Sequence, residues 1–286
     1  MNKEILGTGL DGLVGSRVVE LNPQYEFINL IYPQADITKI ETLETFFQNS
    51  TADTLIHFAA FTDTKAAWEQ KFDTNSPCFK VNVEGTKNVA QLCKKYNKHL
   101  IHISTDYVFN GQKNVPYNEN DLPNAMEWYG QTKAMAEKIA LDAGATVVRI
   151  SFPYRKEFPL KVDFIRGYIN KLQSSEPLNL FTDQTITPTF IDDIAHGLDI
   201  IIQQKPAGIF HLVGSSSHSP YEIAQEVARI FNLDSSLIHP SSLEKYLIDN
   251  PTARPFGKNQ SLSNQKIKDE LGISMRTLTN GLEAIK

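Results

Sequence analysis

Residues 7–17 read GTGLDGLVGSR, between a short apolar run, EILGTG (4–9), and a helical pattern, VGSRVVEL (14–21). Gly7, Gly9, Gly12 and Gly15 form two overlapping patterns, G-x-G-x-x-G and T-G-x-x-G-x-x-G. Glycine permits positive φ in the turn, lets a pyrophosphate approach the backbone, and lets the helix pack close to the strand. The helix N-terminus then offers free amides and a partial positive charge to phosphates. A lone glycine pattern is weak evidence. Here it follows a first strand and opens a first helix, the context that makes it a dinucleotide-binding turn. Gly9, Leu10, Gly12, Leu13, Val14 and Gly15 are therefore cofactor-binding candidates.

Outward from this turn, short apolar runs alternate with amphipathic stretches. YEFINLIY (25–32), TLIHFAAF (54–61), HLIHIST (99–105) and ATVVRISF (145–152) read as strands. CFKVNVEGTKNVAQLCKKY (78–96) reads as one helix, with Val81, Val83, Val89, Leu92 and Cys93 on a face and Gly85 at a close-packing spot. Such alternation implies a parallel sheet covered on both sides. The fold class is α/β, a Rossmann-type doubly wound parallel sheet with a smaller, irregular α/β C-terminal region that walls a substrate cleft. The expected division is 1–150 for the dinucleotide-binding domain, with 183–204 returning to it, and 151–182 plus 205–286 for the substrate-binding region. Pro153, Pro159 and Pro177 break up the pattern where the second region begins.

At 286 residues, 41% apolar and 21% charged, the chain has the composition of a packed globular protein. A net charge of −5 and no basic stripe argue against a nucleic-acid partner. The densest local run, Lys94, Lys95 and Lys98, is read as the solvated end of a helix. Cys78 and Cys93 are too few for a disulfide framework and lack metal-type spacing, which points to reduced thiols. The seven histidines show no metal spacing either; His57, His102 and His211 fall in strand-like runs and are expected to be buried and hydrogen-bonded. No metal site is expected. No apolar run is long enough to span a bilayer, and the start lacks a secretion-signal pattern, so a cytoplasmic protein without a membrane partner is expected.

The choice between NAD and NADP stays open. An acidic residue ending the second strand would hold the ribose 2′-hydroxyl, and Arg or Lys would favour a 2′-phosphate. INLIYP (28–33) has neither. Asp36 and Ile37, slightly later, are placed near the adenine; Arg17 suits a phosphate or a solvated helix face equally.

EWYGQTKAMAE (127–137) sets Tyr129 one helical turn before Lys133, on the same face. With ten tyrosines in the chain, such a spacing arises readily by chance. The rest of the sequence decides. GTGLDGLVGS (7–16), HFAAFTD (57–63), VNVEGTKNV (81–89), ISTDYVFNG (103–111), YGQTKAMAE (129–137), TPTFIDDIA (187–195) and ARPFGKNQSLSNQKI (253–267) follow one another in order. Together they resemble the extended short-chain dehydrogenase/reductases, most closely the dTDP-4-dehydrorhamnose reductase branch, to which STDYVF is the most specific pointer.

The resemblance implies a catalytic set of Thr105, Tyr129 and Lys133, the cofactor NADP(H) or NAD(H), and a nucleotide-sugar substrate. It implies that Phe58, Ala59 and Ala60 contact the cofactor with Tyr129 and Lys133, and that Asn82 helps order the site. Asp106, Tyr107, Phe152 and Arg254 are implied on the substrate side. Tyr107 and Phe109 also suit a core, and Arg254 a surface ion pair rather than a bidentate hold on a diphosphate.

Ketone reduction needs hydride at carbon and a proton at oxygen, with Tyr129 as proton donor and Thr105 bonded to the carbonyl oxygen. A tyrosine begins near pKa ~10, and one nearby cation supplies about one to three units of lowering, so Lys133 is expected to lower Tyr129.

Three positions depart from the pattern of that branch. Phe152 replaces a Trp that would pack against the sugar, and Arg155 stands where Gly is common. Arg17 takes the place of a Glu that in some relatives bridges a dimer through magnesium, so a monomer or a dimer without that metal is expected. WEQKFDTNSPCFK (68–80) also reads as an insertion. A sugar-nucleotide epimerase or dehydratase, or a regulatory subunit like the β-subunit of methionine adenosyltransferase, are the alternatives to a reductase.

Overall fold

A computed structural model describes residues 2–286. In chain order the first elements are β1 Lys3–Thr8, α1 Gly15–Leu21, β2 Tyr25–Leu30, α2 Ile40–Asn49, β3 Thr54–His57 and α3 Thr64–Glu69. Then α4 Pro77–Phe79 runs through a π-helical segment, Lys80–Gly85, into α5 Thr86–Lys95. β4 His99–Thr105, α6 Trp128–Asp142, β5 Thr146–Ile150, β6 Pro153–Tyr154 and α7 Phe164–Gln173 follow. The remainder is β7 Leu178–Phe181, β8 Thr189–Phe190, α8 Ile191–Gln204, β9 Gly208–His211, α9 Pro220–Phe231, β10 Ile238–Ser241, α10 Leu243–Asp249, α11 Gln265–Leu271 and α12 Leu278–Ile285.

Six strands form one parallel sheet in the order β2-β1-β3-β4-β5-β9. Consecutive apolar residues explain why its strands read as continuous runs. Ile5, Ile56, Ile101 and Val148 join the core beneath α1 and α8, with Val18, Ile194 and Leu198. Their chain neighbours Leu6, Leu55, Leu100 and Val147 join the opposite core with Leu43, Val89 and Leu92 from α2 and α5. Side chains alternate across a strand, so a sheet buried on both faces needs apolar residues at both parities. The chain order reverses between β1 and β3, the switch point outside which a ligand crevice forms in such sheets.

Two findings differ from the sequence reading. The sheet's sixth strand is β9, Gly208–His211, within the segment assigned by sequence to the substrate region. GIFHLVG (208–214) reads as a strand in the sequence, but its partner β5 lies about sixty positions earlier, and no local pattern carries that pairing. The stretch expected as one helix is interrupted by the π-helical turn holding Asn82; such single-turn bulges cluster at functional sites.

The smaller region packs α7, α9 and α12 around Tyr154, Ile165, Ile223, Val227 and Leu282. It carries two short parallel pairs, β6 with β8 and β7 with β10. No helix among the described residues is long and apolar enough to cross a membrane, and no group of three metal-ligating side chains is found among them.

Candidate active site

A cleft of about 750 Å³ opens at the C-terminal ends of β1, β3, β4 and β5. At one end Gly9, Gly12, Leu13, Val14 and Gly15 line it, with Phe58, Ala59 and Ala60 from the turn after β3. Gly9 has φ +67°, and a Cβ there would lie 2.8 Å from the Ala59 backbone nitrogen. Only glycine lets the two turns meet this closely and leaves bare backbone facing the cleft, the surface a pyrophosphate requires.

At the other end stand Thr105, Asp106, Tyr107, Tyr129, Lys133 and Phe152. Glu127 caps α6 by accepting from Tyr129 N (3.1 Å) and Gly130 N (2.6 Å), fixing the first turn that carries Tyr129. Gly130 has no side chain to obstruct the chain after β4: a Cβ would lie 2.0 Å from the Tyr107 carbonyl oxygen. The two segments therefore lock together, with the Tyr107 and Tyr129 rings edge to face at 5.6 Å.

Tyr129 is buried, and its hydroxyl pKa is raised, first by desolvation and then by the nearby Asp106 and Glu127 carboxyls; the Thr105 hydroxyl beside it offsets part of this. The net shift is therefore opposite to the lowering expected from Lys133, because burial and the two carboxyls dominate. Lys133 spends its hydrogens on β4, donating to the Ile103 carbonyl (2.7 Å) and to His102 Nε2 (3.3 Å). Burial lowers its own pKa to about 8, with Glu137 opposing. Tyr129 is therefore held in its protonated form, and Lys133 is braced against the sheet.

Asp106 is almost fully buried; desolvation raises its pKa to about 7 against hydroxyl donors from Thr105 (2.9 Å) and Ser151 (3.1 Å). Behind this corner lies a buried ion pair. Arg149 donates Nε and Nη2 to the two oxygens of Glu137 at 2.8 and 2.7 Å, and Ser104 donates to Glu137 at 2.5 Å. It ties β4, β5 and α6 together beneath Thr105, Tyr129 and Lys133.

The remaining sequence candidates do not line the cleft. Leu10 is buried beneath its own turn against Gly7. Asp36 accepts from Thr38 N and Thr38 Oγ1 just before α2, and Ile37 packs against Gly85. Asn82 sits behind the wall: its Oδ1 accepts from Phe61 N (2.8 Å) and its Nδ2 donates to Thr132 Oγ1 (2.9 Å), joining the β3 turn to α6. Arg254 lies over the Phe256 ring at 3.9 Å and the Tyr107 ring at 5.6 Å, behind the aromatic wall and in no ion pair among the described residues.

Tyr107 and Phe109 separate: Tyr107 lines the cleft, while Phe109 is core, stacked on Tyr117 at 4.1 Å. Arg17 forms a two-point ion pair with Asp192 and a further one with Glu20. Lys98 is buried, not solvated, because its ammonium bonds the Ser50 and Ala52 carbonyls.

The sequence reading missed the lip of the cleft, where Phe158, Leu160, Val162 and Phe164 line one wall. Their spacing of two was visible in EFPLKVDF, but Pro159 and the neighbouring charges masked it. It also missed Ser151, whose bond to Asp106 spans 45 positions.

Comparison with known proteins agrees with this geometry. The family described as "RmlD substrate binding domain" matches residues 2–286. A probable low-salt glycan biosynthesis reductase, Agl14, of Haloferax volcanii is 30% identical over 98% of this chain and 96% of its own length. The methionine adenosyltransferase 2 subunit beta of Bos taurus is also 30% identical, over 96% of this chain and 84% of its own. Among solved structures, dTDP-4-dehydrorhamnose reductase of Bacillus anthracis in complex with NADP superimposes with a TM-score of 0.89 at 26% identity, covering 100% of this chain and 99% of that one. Sequence motifs, sheet order, cleft and full-length match converge: the chain belongs to the RmlD substrate-binding domain family.

Proposed function

We propose that the protein is an NAD(P)H-dependent reductase of a 4-keto sugar nucleotide, acting on dTDP-4-dehydrorhamnose or a close analogue. The observation that carries this reading is one cleft lined at one end by the bare glycine turn and at the other by Thr105 and Tyr129. The turn fits a dinucleotide, because the close contact between Gly9 and Ala59 leaves no side chain over it. When bound, the reduced nicotinamide supplies hydride.

The chain's own residues supply the rest. Tyr129, its pKa raised by burial, carries a proton at neutral pH and donates it to the substrate's C4 oxygen. Thr105 Oγ1 donates to Asp106 Oδ1 in this structure and turns to the same ketone oxygen when substrate is present. The positive charge of Lys133, held 2.7 Å from the Ile103 carbonyl, stabilises the phenolate left behind. Phe152 and the apolar lip pack against the sugar and exclude water. Loss of reduced-nicotinamide absorbance with dTDP-4-dehydrorhamnose in the wild type, and its collapse in Tyr129→Phe, is the expected result. Cofactor binding without turnover of any keto sugar would sink the reading.

A regulatory role is the second reading, favoured by the subunit-beta relative being as similar as the first reductase. Copurification with a methionine adenosyltransferase, together with absent turnover, would establish it instead.

A further inference from the structure

We propose that Arg155 is a positioning residue that couples the glycine turn to the substrate lip, so that cofactor and sugar nucleotide bind with positive cooperativity. The inference rests on the reductase reading for the identity of the two ligands, and on geometry for the coupling.

The Arg155 side chain is 8% exposed, and its guanidinium reaches from the smaller region into the first turn of α1. Its Nη1 donates to Ser16 Oγ (2.9 Å) and the Leu13 carbonyl (3.4 Å), both in the segment that forms one end of the cleft. Its Nη2 donates to both oxygens of Glu20 at 3.0 and 2.9 Å. Glu20 also pairs with Arg17, which is held by Asp192 of α8, so the attachment is braced from the far side.

The same residue begins the lip. The Arg155 backbone N–H donates to Asp163 Oδ2 (3.3 Å), which closes residues 155–163 into a loop. Arg166 holds that loop from inside: Nε pairs with Asp163 (2.7 Å), Nη1 donates to the Phe158 carbonyl (2.8 Å) and Nη2 to the Lys161 carbonyl. The base of the loop is thus rigid, while Leu160 and Val162 at the tip are 78% and 56% exposed and line the cleft. Apolar side chains left in water at a cleft mouth gain by closing on a bound ligand.

A ligand settling on the backbone of residues 12–15 constrains the Leu13 carbonyl and Ser16. Arg155 reads that constraint directly and passes it to the loop that meets the sugar. Linkage then requires the sugar nucleotide to tighten the cofactor by the same factor as the reverse.

The test is a titration of the full chain with NADPH, followed by its fluorescence, with and without saturating dTDP-rhamnose, a pair that cannot react. In the wild type dTDP-rhamnose is expected to tighten NADPH about tenfold, within the usual range for coupled sites. In Arg155→Met the coupling, read as the ratio of NADPH dissociation constants without and with dTDP-rhamnose, falls to about twofold or less whatever the affinity for NADPH alone. Arg155→Lys, which keeps the charge but loses the fork, restores part of it.

Ser16→Ala removes one of the bonds without unpairing Glu20 and is expected to lose part of the coupling, which guards against misfolding of the Arg155 variant. Unchanged coupling in both Arg155→Met and Ser16→Ala overturns the proposal, as does a wild type that binds both ligands independently. A wild type that binds neither overturns the reductase reading, and this inference with it.

Discussion

The two ends of the cleft are built from opposite materials. At the glycine end, Gly9 meets Ala59 backbone to backbone, and the residues that shape the turn lie within nine positions of sequence. At the Tyr129 end, Thr105, Asp106, Tyr129 and Lys133 are buried titratable or polar side chains drawn from β4, the turn after it, and α6. The first end is governed by steric space and the second by desolvation. A side chain added at the first should therefore block binding, whereas an isosteric change at the second should leave binding and fold in place and alter chemistry or pH response.

The sharpest use of this contrast is Tyr129→Phe. Removing one buried hydroxyl keeps the ring against Tyr107, so cofactor affinity should hold within about twofold while kcat falls by about 10³-fold, the scale of general acid catalysis. Stopped-flow binding beside steady-state turnover separates the two. Equal losses in both would erase the distinction between the ends.

Asp106 tests the desolvation argument through pH. Its folded pKa, about 7, stands above the ordinary carboxyl value. Its contribution to stability is therefore full below about pH 4 and lost as pH rises through about 7. Asp106→Asn removes this ionisation. Urea unfolding at pH 5 and pH 8 should show the variant gaining on the wild type by about 3 kcal/mol over that interval. A constant difference between the two proteins across pH would contradict the burial argument.

Gly9→Val tests the steric end. Positive φ and a 2.8 Å approach to the Ala59 nitrogen leave no room for a branched side chain. We expect a loss of about 2 kcal/mol in stability and a cofactor dissociation constant weakened by more than about 100-fold. Calorimetric binding reads the second quantity, and wild-type affinity would show that the turn is not the cofactor surface.

The smallest effect belongs to Asn82, which touches neither ligand end but joins them. Asn82→Ala leaves the Phe61 N–H without its side-chain acceptor, at a cost of about 1–2 kcal/mol in thermal unfolding. Both cofactor affinity and kcat should fall together, by about threefold to tenfold. An effect on only one would place Asn82 with that end alone.

The same contrast explains what was legible beforehand. The glycine turn was readable because its signal is local, four glycines between one strand and one helix, although the Ala59 backbone that leaves Gly9 no room for a side chain lies fifty positions away. The Tyr129–Lys133 spacing was readable as one face of a helix, but the direction of the lysine was not. Lys133 bonds Ile103 and His102 on a strand thirty positions away, and no local rule carries that information. The elevated pKa of Asp106 likewise arises from what surrounds it after folding, including Ser151 across the sheet. GIFHLVG (208–214) was legible as a strand but its place beside β5 was not, because pairing is set by packing; the apolar lip escaped notice because Pro159 and the neighbouring charges interrupt its periodicity.

By itself, the sequence determined the doubly wound fold and the turn that opens it, and its resemblance to a known family pointed to Thr105, Tyr129 and Lys133. The fold and the turn rest on short-range sterics and on the alternation of apolar strand runs with helical patterns along the chain. Only the tertiary structure decided that Tyr129 stays protonated, that Lys133 braces on β4, that Asp106 titrates near neutrality, and that Arg155 spans the two regions. Burial and long-range hydrogen bonds set those properties, and both exist only once distant segments have been brought together.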